Sequence, residues 1–251
     1  MNEMISELYS IGLIPVIKIE NADDAVPLAK ALIDGGLPAA EITFRTKCAA
    51  EAIKNITEAF PEMLVGAGTV LTTEQVDAAI AAGSKFLVSP GLNPKVTSYC
   101  LSKGVPMLPG CSNPSDIEAA LELGLTTVKF FPAEAAGGLP MLKAMAAPYG
   151  KVKFMPKGGL NEKNIFSYLE FNKIVACGGS FMVKDEYIKN GEFDKIRELT
   201  ENAVKLMLGF KLVHVSIGDI VEIAVEIHDM EIPHVLVMHF FATKNEKLIG
   251  E

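Results

Sequence analysis

Short apolar runs of β-leaning composition recur about every twenty to twenty-seven residues, at 13–17, 40–44, 64–68, 85–89, 105–109, 126–131, 152–156 and 173–177. Between and after them lie segments with apolar residues at i, i+3 and i+4 spacing, at 25–33, 49–60, 73–82, 95–102, 114–123, 139–146, 161–169 and 193–207. The first pattern predicts strands and the second amphipathic helices. Thr72 or Thr73, Asn113 ahead of Pro114, and Asn161 are helix start signals. Gly35-Gly36, Gly83, Gly104 and Gly124 end helices just before the next strand. Eight strand–helix units in series predict an α/β protein with a parallel sheet closed into a (β/α)8 TIM barrel over residues 1–206. An open, doubly wound sheet is the alternative, but no G-x-G-x-x-G follows the first strand. Met4, Ile5, Leu8 and Tyr9 form a stripe that fits a short helix covering the barrel floor.

Residues 207–251 fall outside that series and predict a short β-rich extension. Residues 220–227 alternate like a strand, and His234 and His239 alternate with Val235, Val237 and Phe240 in another.

The 251 residues are 49% hydrophobic and 22% charged with net charge −8, which fits one compact domain with an appendage. That acidity argues against a nucleic-acid partner, since phosphate binding needs a basic face. No run approaches the roughly eighteen apolar residues of a membrane span, so no membrane partner is expected. Met1–Ser10 carries Glu3 and Glu7 and lacks the basic start of a signal peptide. Cys48, Cys100, Cys111 and Cys177 stand far apart and read as reduced thiols of a cytoplasmic protein. All four histidines (His214, His228, His234 and His239) follow residue 213, so the barrel lacks the usual imidazole ligands of a transition metal. Neither a metal nor another cofactor is expected.

Active-site chemistry in such barrels sits at the C-terminal strand ends. Glu41, Thr43 and Arg45 alternate there, so they share one face while Ile42 and Phe44 share the other. Lys129 lies in the apolar run Thr127-Val128-Lys129-Phe130-Phe131-Pro132, where a lone ammonium is costly to bury. Desolvation lowers a lysine's pKa and frees an amine that attacks a ketone, although a lysine at a strand end also snorkels to water. Glu41 reads as a general acid/base or as a structural partner of Arg45 or Lys129. Arg45 offers a two-pronged match to a carboxylate, and Thr69 is a further donor or a helix N-cap. Gly158-Gly159 and Gly178-Gly179-Ser180 follow the last two strands, where backbone N–H groups cradle phosphate in such barrels.

The stretches Glu41-Ile42-Thr43-Phe44-Arg45, Gly66–Val70, Ser89-Pro90-Gly91, Met107-Leu108-Pro109-Gly110, Val128–Glu134, Pro156-Lys157-Gly158-Gly159 and Cys177-Gly178-Gly179-Ser180 carry a resemblance. Together they resemble the 2-keto-3-deoxy-6-phosphogluconate (KDPG) / 4-hydroxy-2-oxoglutarate (KHG) aldolase family, in order and at matching spacing from about residue 3 to 206. The resemblance implies a metal-free class I aldolase of the Entner-Doudoroff pathway, on a (β/α)8 barrel and usually a homotrimer. Its substrate class is a small keto-acid phosphate, cleaved to pyruvate and an aldehyde. Lys129 matches the Schiff-base lysine, Glu41 the acid/base, and Arg45 and Thr69 the ligands of the pyruvyl carboxylate. Pro90 and Phe131 match pocket-wall positions, and Gly158, Gly159 and Ser180 match phosphate ligands.

The chain departs from the family at Lys157, where threonine is usual. Its ammonium is placed to contact the phosphate, pair with Glu41, bend out to solvent, weaken activity beside Lys129, or favour a carboxylate-ended substrate. Asn93 and Asn113 also replace common threonines and suit helix caps. Residues 207–215 are similar to the opening of a vicinal-oxygen-chelate (glyoxalase-like) domain, but the remaining chain is too short for its paired modules. Two other functions use the same barrel: a phosphosugar isomerase or epimerase, which needs no Lys129, and a catalytically weakened phosphosugar-binding barrel.

Overall fold

The computed structural model describes residues 3–208, 210–216 and 222–227. The protein has an α/β fold whose main strands all pair in parallel. One sheet runs β5 (Met107–Leu108), β4 (Phe86–Val88), β3 (Leu64–Gly68), β2 (Ala39–Thr43), β1 (Leu13–Ile17) and β9 (Cys177–Gly179). A second sheet runs β6 (Gly110–Cys111), β7 (Thr127–Phe130) and β8 (Lys153–Pro156). Parallel bridges Phe154–Ile174 and Lys157–Gly178 link the β8 side to the β9 side.

The sheet divides at Pro109, which was expected to end a single fifth strand. Proline has no N–H to donate to the ladder on one side. On the other, its carbonyl accepts the Lys129 N–H at 2.9 Å. The eighth strand also begins later than expected. Lys173 and Val175 exchange backbone hydrogen bonds with Phe154 while the Ile174 N–H donates to the Phe171 carbonyl, and the ladder with β1 starts at the Leu13–Cys177 pair. The helix expected at 161–169 is confined to Ile165–Leu169. Asn161 Oδ1 accepts from Lys163 N at 2.9 Å and Asn164 Oδ1 accepts from Asn161 N at 2.8 Å, so side chains turn the chain where helix was expected. A short helix, Asp185–Lys189, appears where none was expected.

Asn93 and Asn113 cap helices Pro94–Ser102 and Pro114–Glu122, accepting from Lys95 N at 3.1 Å and Asp116 N at 3.1 Å. Thr72 does the same for Thr73–Ala81 through Gln75 N at 3.3 Å.

Two cores sit on opposite faces of the strands. Ala40 and Ile42 belong to the larger one, packed with helices Ala25–Asp34 and Ala49–Ala59 through Leu28, Leu32, Ala52 and Ile56. Ala39, on the other face, joins Ile14, Leu64, Phe86, Leu108 and Met155 in a smaller cluster. The N-terminal helix α1, Glu3–Ile11, packs Met4, Ile5 and Leu8 into that cluster, as the apolar stripe predicts. Gly66 lacks a side chain where the Phe86 ring lies across β3.

Of the extension, Phe210–Ser216 pairs antiparallel with Glu222–Ile227, which overlaps the strand expected at 220–227. The run holding His234 and His239 lies outside the described residues, as does His228. Among the described residues no helix is long and apolar enough to cross a membrane.

Candidate active site

Alternation decides what the second strand offers. Ala39, Glu41 and Thr43 share the face of the smaller cluster, and beyond its apolar layer the surface turns polar. A cavity of about 170 Å³ opens there, lined by Glu41, Thr43, Arg45, Thr69, Lys129, Phe131, Lys157 and Gly158 among others. Gly159, Gly178, Gly179 and Ser180 complete the side formed after β8 and β9. Eleven of the twelve expected site residues therefore meet around one cavity, counting Gly178 and Gly179 with the rest.

Pro90 is the exception. It does not line the cavity; its backbone carbonyl instead packs against Gly110, where a side chain would collide with it. Lys18 and Asp185 line the cavity although sequence reasoning passed over both. Asp185 belongs to the helix that was not expected, and Lys18 directly follows β1. Lys18 pairs with Glu20 at 2.6 Å and Asp185 at 3.5 Å, tying the two segments at the rim.

The residues differ sharply in exposure. Glu41 is 1% exposed, Lys157 3% and Lys129 6%, whereas Arg45 and Ser180 lie exposed at the mouth. Thr43 is buried with its hydroxyl donating to the Ile17 carbonyl at 2.9 Å, so it fastens β2 to β1. Thr69 takes φ +58°, a left-handed conformation that costs a β-branched residue energy. Gly158 and Gly159 have φ +95° and +84°, and a Cβ on Gly159 would stand 2.6 Å from Glu134 Cβ. That turn therefore requires glycine for both conformation and room.

Lys157 settles into one of its three anticipated positions, beside Glu41. It does not bend outward: its ammonium donates to Glu41 Oε2, and both side chains are almost fully enclosed. Gly178 makes room for it, since a Cβ there would stand 2.5 Å from Lys157 Cγ.

Among the described residues Lys129 has no such partner. Its Nζ lies 4.2 Å from the centre of the Phe131 ring. Burial pushes its pKa down from 10.5 to about 8, helped by the neighbouring Lys157 and Arg45 charges and opposed by Glu41. Near neutral pH an appreciable share of Lys129 is thus a free amine beside a carboxylate, an arrangement able to form an imine and then move protons around it.

The family model described as KDPG and KHG aldolase matches residues 4–199. The chain is similar to the 2-dehydro-3-deoxy-phosphogluconate aldolase of Treponema pallidum, 46% identical over 82% of this chain and 99% of that one. It is similar to the KHG/KDPG aldolase of Escherichia coli, 39% identical over 77% of this chain and 91% of that one. Among solved structures, the Legionella pneumophila KDPG aldolase with pyruvate captured as a covalent carbinolamine superposes with TM-score 0.76 at 40% identity, covering 79% of this chain and 97% of that one.

Proposed function

We infer the reaction from one premise: this chain belongs to the KDPG and KHG aldolase family. It is a Schiff-base aldolase, a lyase that cleaves KDPG to pyruvate and glyceraldehyde 3-phosphate. The observation that carries the assignment of residues is the enclosed Lys129, held partly neutral at the same cavity as Glu41 and Arg45.

In our reading Lys129 Nζ adds to the C2 ketone to give a carbinolamine, and loss of water leaves an iminium. The iminium accepts the electron pair when the C3–C4 bond breaks and the C4 hydroxyl proton departs, so an aldehyde and an enamine form. Glu41 takes that proton and returns one to C3 through a water, after which hydrolysis releases pyruvate and restores the amine. Arg45 and Thr69 hold the pyruvyl carboxylate, a planar group suited to a guanidinium. Phe131 forms the wall over the iminium. Gly158, Gly159 and the segment Gly178, Gly179 and Ser180 receive the phosphate, with the Lys18 ammonium at the same rim.

KHG, cleaved to pyruvate and glyoxylate, is the second substrate we propose, because the same C2 chemistry applies to it. We also read the two sheets as one eight-stranded barrel: β5 and β6 are one strand interrupted by Pro109, and the two bridges join β8 to β9. Residues 1–206 then form the catalytic unit and 207–251 an appendage. A cytoplasmic homotrimer is the state we expect from the family.

A coupled assay of pyruvate release from KDPG and from KHG tests the activity. Borohydride reduction with pyruvate tests the nucleophile: the native protein gains the mass of a reduced adduct on Lys129, and Lys129→Met gains none. An adduct that survives in Lys129→Met overturns the assignment.

A further inference from the structure

Two buried lysines and one buried carboxylate meet in this cavity, and the carboxylate is paired with the lysine that is not the proposed nucleophile. Among the described residues Glu41 forms its one side-chain hydrogen bond with Lys157, and Lys129 lies within ion-pair distance of neither Glu41 nor any other carboxylate. Both halves of the Lys157–Glu41 pair rest on glycines. Glu41 Oε1 lies where a side chain on Gly68 would stand, and the Lys157 stem lies where one on Gly178 would stand. The pair spans the cavity from β2 to the end of β8, so it fixes which carboxylate oxygen is engaged. Oε2 is held by Lys157, and Oε1, packed over Gly68, is the oxygen not engaged by a described side chain. The other charged groups facing this cavity are Arg45, Lys18 and Asp185, all nearer the mouth.

We propose that Lys157 is a positioning residue of the aldol cleavage: it clamps Glu41 through Oε2 and denies that carboxylate to Lys129 as a counter-ion, leaving the nucleophile an unpaired amine. A carboxylate free to swing to a buried ammonium stabilises its charge, commonly by one to three pH units of titration. With Glu41 committed elsewhere, its charge offsets only part of the cost of burying charge at Lys129, and the Lys157 cation nearby adds to that cost. The proposal rests on the aldolase reading, and Lys157 stands where the family usually has threonine.

The test compares native protein, Lys157→Met and Lys157→Arg by the rate of borohydride-trapped pyruvate adduct against pH. In parallel, solvent deuterium exchange at the pyruvate methyl group reports proton transfer by Glu41. Methionine keeps length and removes charge, so Glu41 becomes available to Lys129 and the acid side of the adduct profile moves up by about one to three pH units. Arginine keeps the cation and the native profile. A Lys157→Met profile lowered equally at all pH values, with its midpoint unmoved, is what a merely structural role gives and overturns the proposal. Should Lys157→Met not fold, 15N-lysine spectra of the native protein decide, with Lys157→Arg and Glu41→Gln for assignment. Lys157 ammonium protons protected from solvent in native protein and exposed in Glu41→Gln support the clamp. Protons that exchange as fast as those of surface lysines overturn it. If native protein forms no pyruvate adduct, the aldolase reading falls and this proposal with it; a native adduct with an unmoved Lys157→Met profile sinks the proposal alone.

Discussion

Lys129 and Phe131 stand two residues apart on the same side of their strand end, and the lysine nitrogen lies 4.2 Å from the centre of the ring. An aromatic face attracts a cation by about 0.5–2 kcal/mol, more as water is excluded. The iminium proposed on Lys129 carries a permanent positive charge, so this ring is expected to stabilise the intermediate more than the neutral amine. Phe131→Leu keeps an apolar wall without the ring quadrupole. It is expected to lower kcat/KM for KDPG roughly two- to thirtyfold and to reduce the equilibrium fraction of pyruvate adduct seen by mass spectrometry. An unchanged adduct fraction would make the ring a spacer only.

In the proposed mechanism the Lys129 amine sets the pH dependence of the first step. Its pKa of about 8 means that adduct formation rises roughly tenfold per pH unit on the acid side and levels off above about 8. A midpoint near 10.5, the ordinary lysine value, would mean that burial does not act as described.

The same displacement affects stability. Between about 8 and 10.5 the unfolded chain holds a proton that the folded one has lost, so stability rises with pH across that window and the full penalty applies below it. Lys129→Met removes the penalty and is expected to stabilise the protein at pH 7 by up to about 3 kcal/mol. Urea unfolding at pH 7 and pH 10 checks the sign, since the gain must shrink at the higher pH.

Gly178→Ala drives a methyl group into the Lys157 stem, and overpacking of this kind costs about 1–3 kcal/mol. The cost is expected to shrink in a Lys157→Ala background, where the colliding atoms are gone. A double-mutant cycle by chemical denaturation measures this, and additive costs would show that the glycine serves some other contact.

Tyr168 is buried, and its hydroxyl donates to Glu134 Oε1, whose stem crosses Gly159. That chain of contacts braces the proposed phosphate turn. Tyr168→Phe is expected to cost about 1 kcal/mol and to raise KM for phosphorylated KDPG while pyruvate adduct formation stays native. Equal effects on both would place the hydroxyl's influence on the whole cavity.

Much of this was legible in the sequence for identifiable reasons. Alternation put Glu41 and Thr43 on one face, glycines and asparagines marked helix ends, and the stripe Met4, Ile5, Leu8 found its core. Thr43 shows the limit: a shared face is not a shared task, and its hydroxyl is spent on the Ile17 carbonyl. Lys18 and Asp185 were missed because each is an ordinary charged residue until β1 and the short helix Asp185–Lys189 bring them together. The partner of Lys157 was one of several alternatives, because pairing across 116 positions depends on how distant strands are brought together rather than on local pattern. Pro90 carries a strong motif yet contributes a backbone carbonyl to Gly110, a contact invisible to residue type.

The apolar plug formed by α1 and the small core leaves a practical consequence for turnover. Among the described residues Met4, Ile5 and Leu8 fill the lower end of the strands, and the cavity's exposed residues, Arg45 and Ser180 among them, mark its doorway at the other end. In the proposed mechanism the phosphate end of the substrate occupies that doorway, and the aldehyde vacates it before a water hydrolyses the iminium left on Lys129. Departure is therefore sequential, aldehyde first and keto acid second, and product inhibition should show pyruvate competing with KDPG while glyceraldehyde 3-phosphate does not.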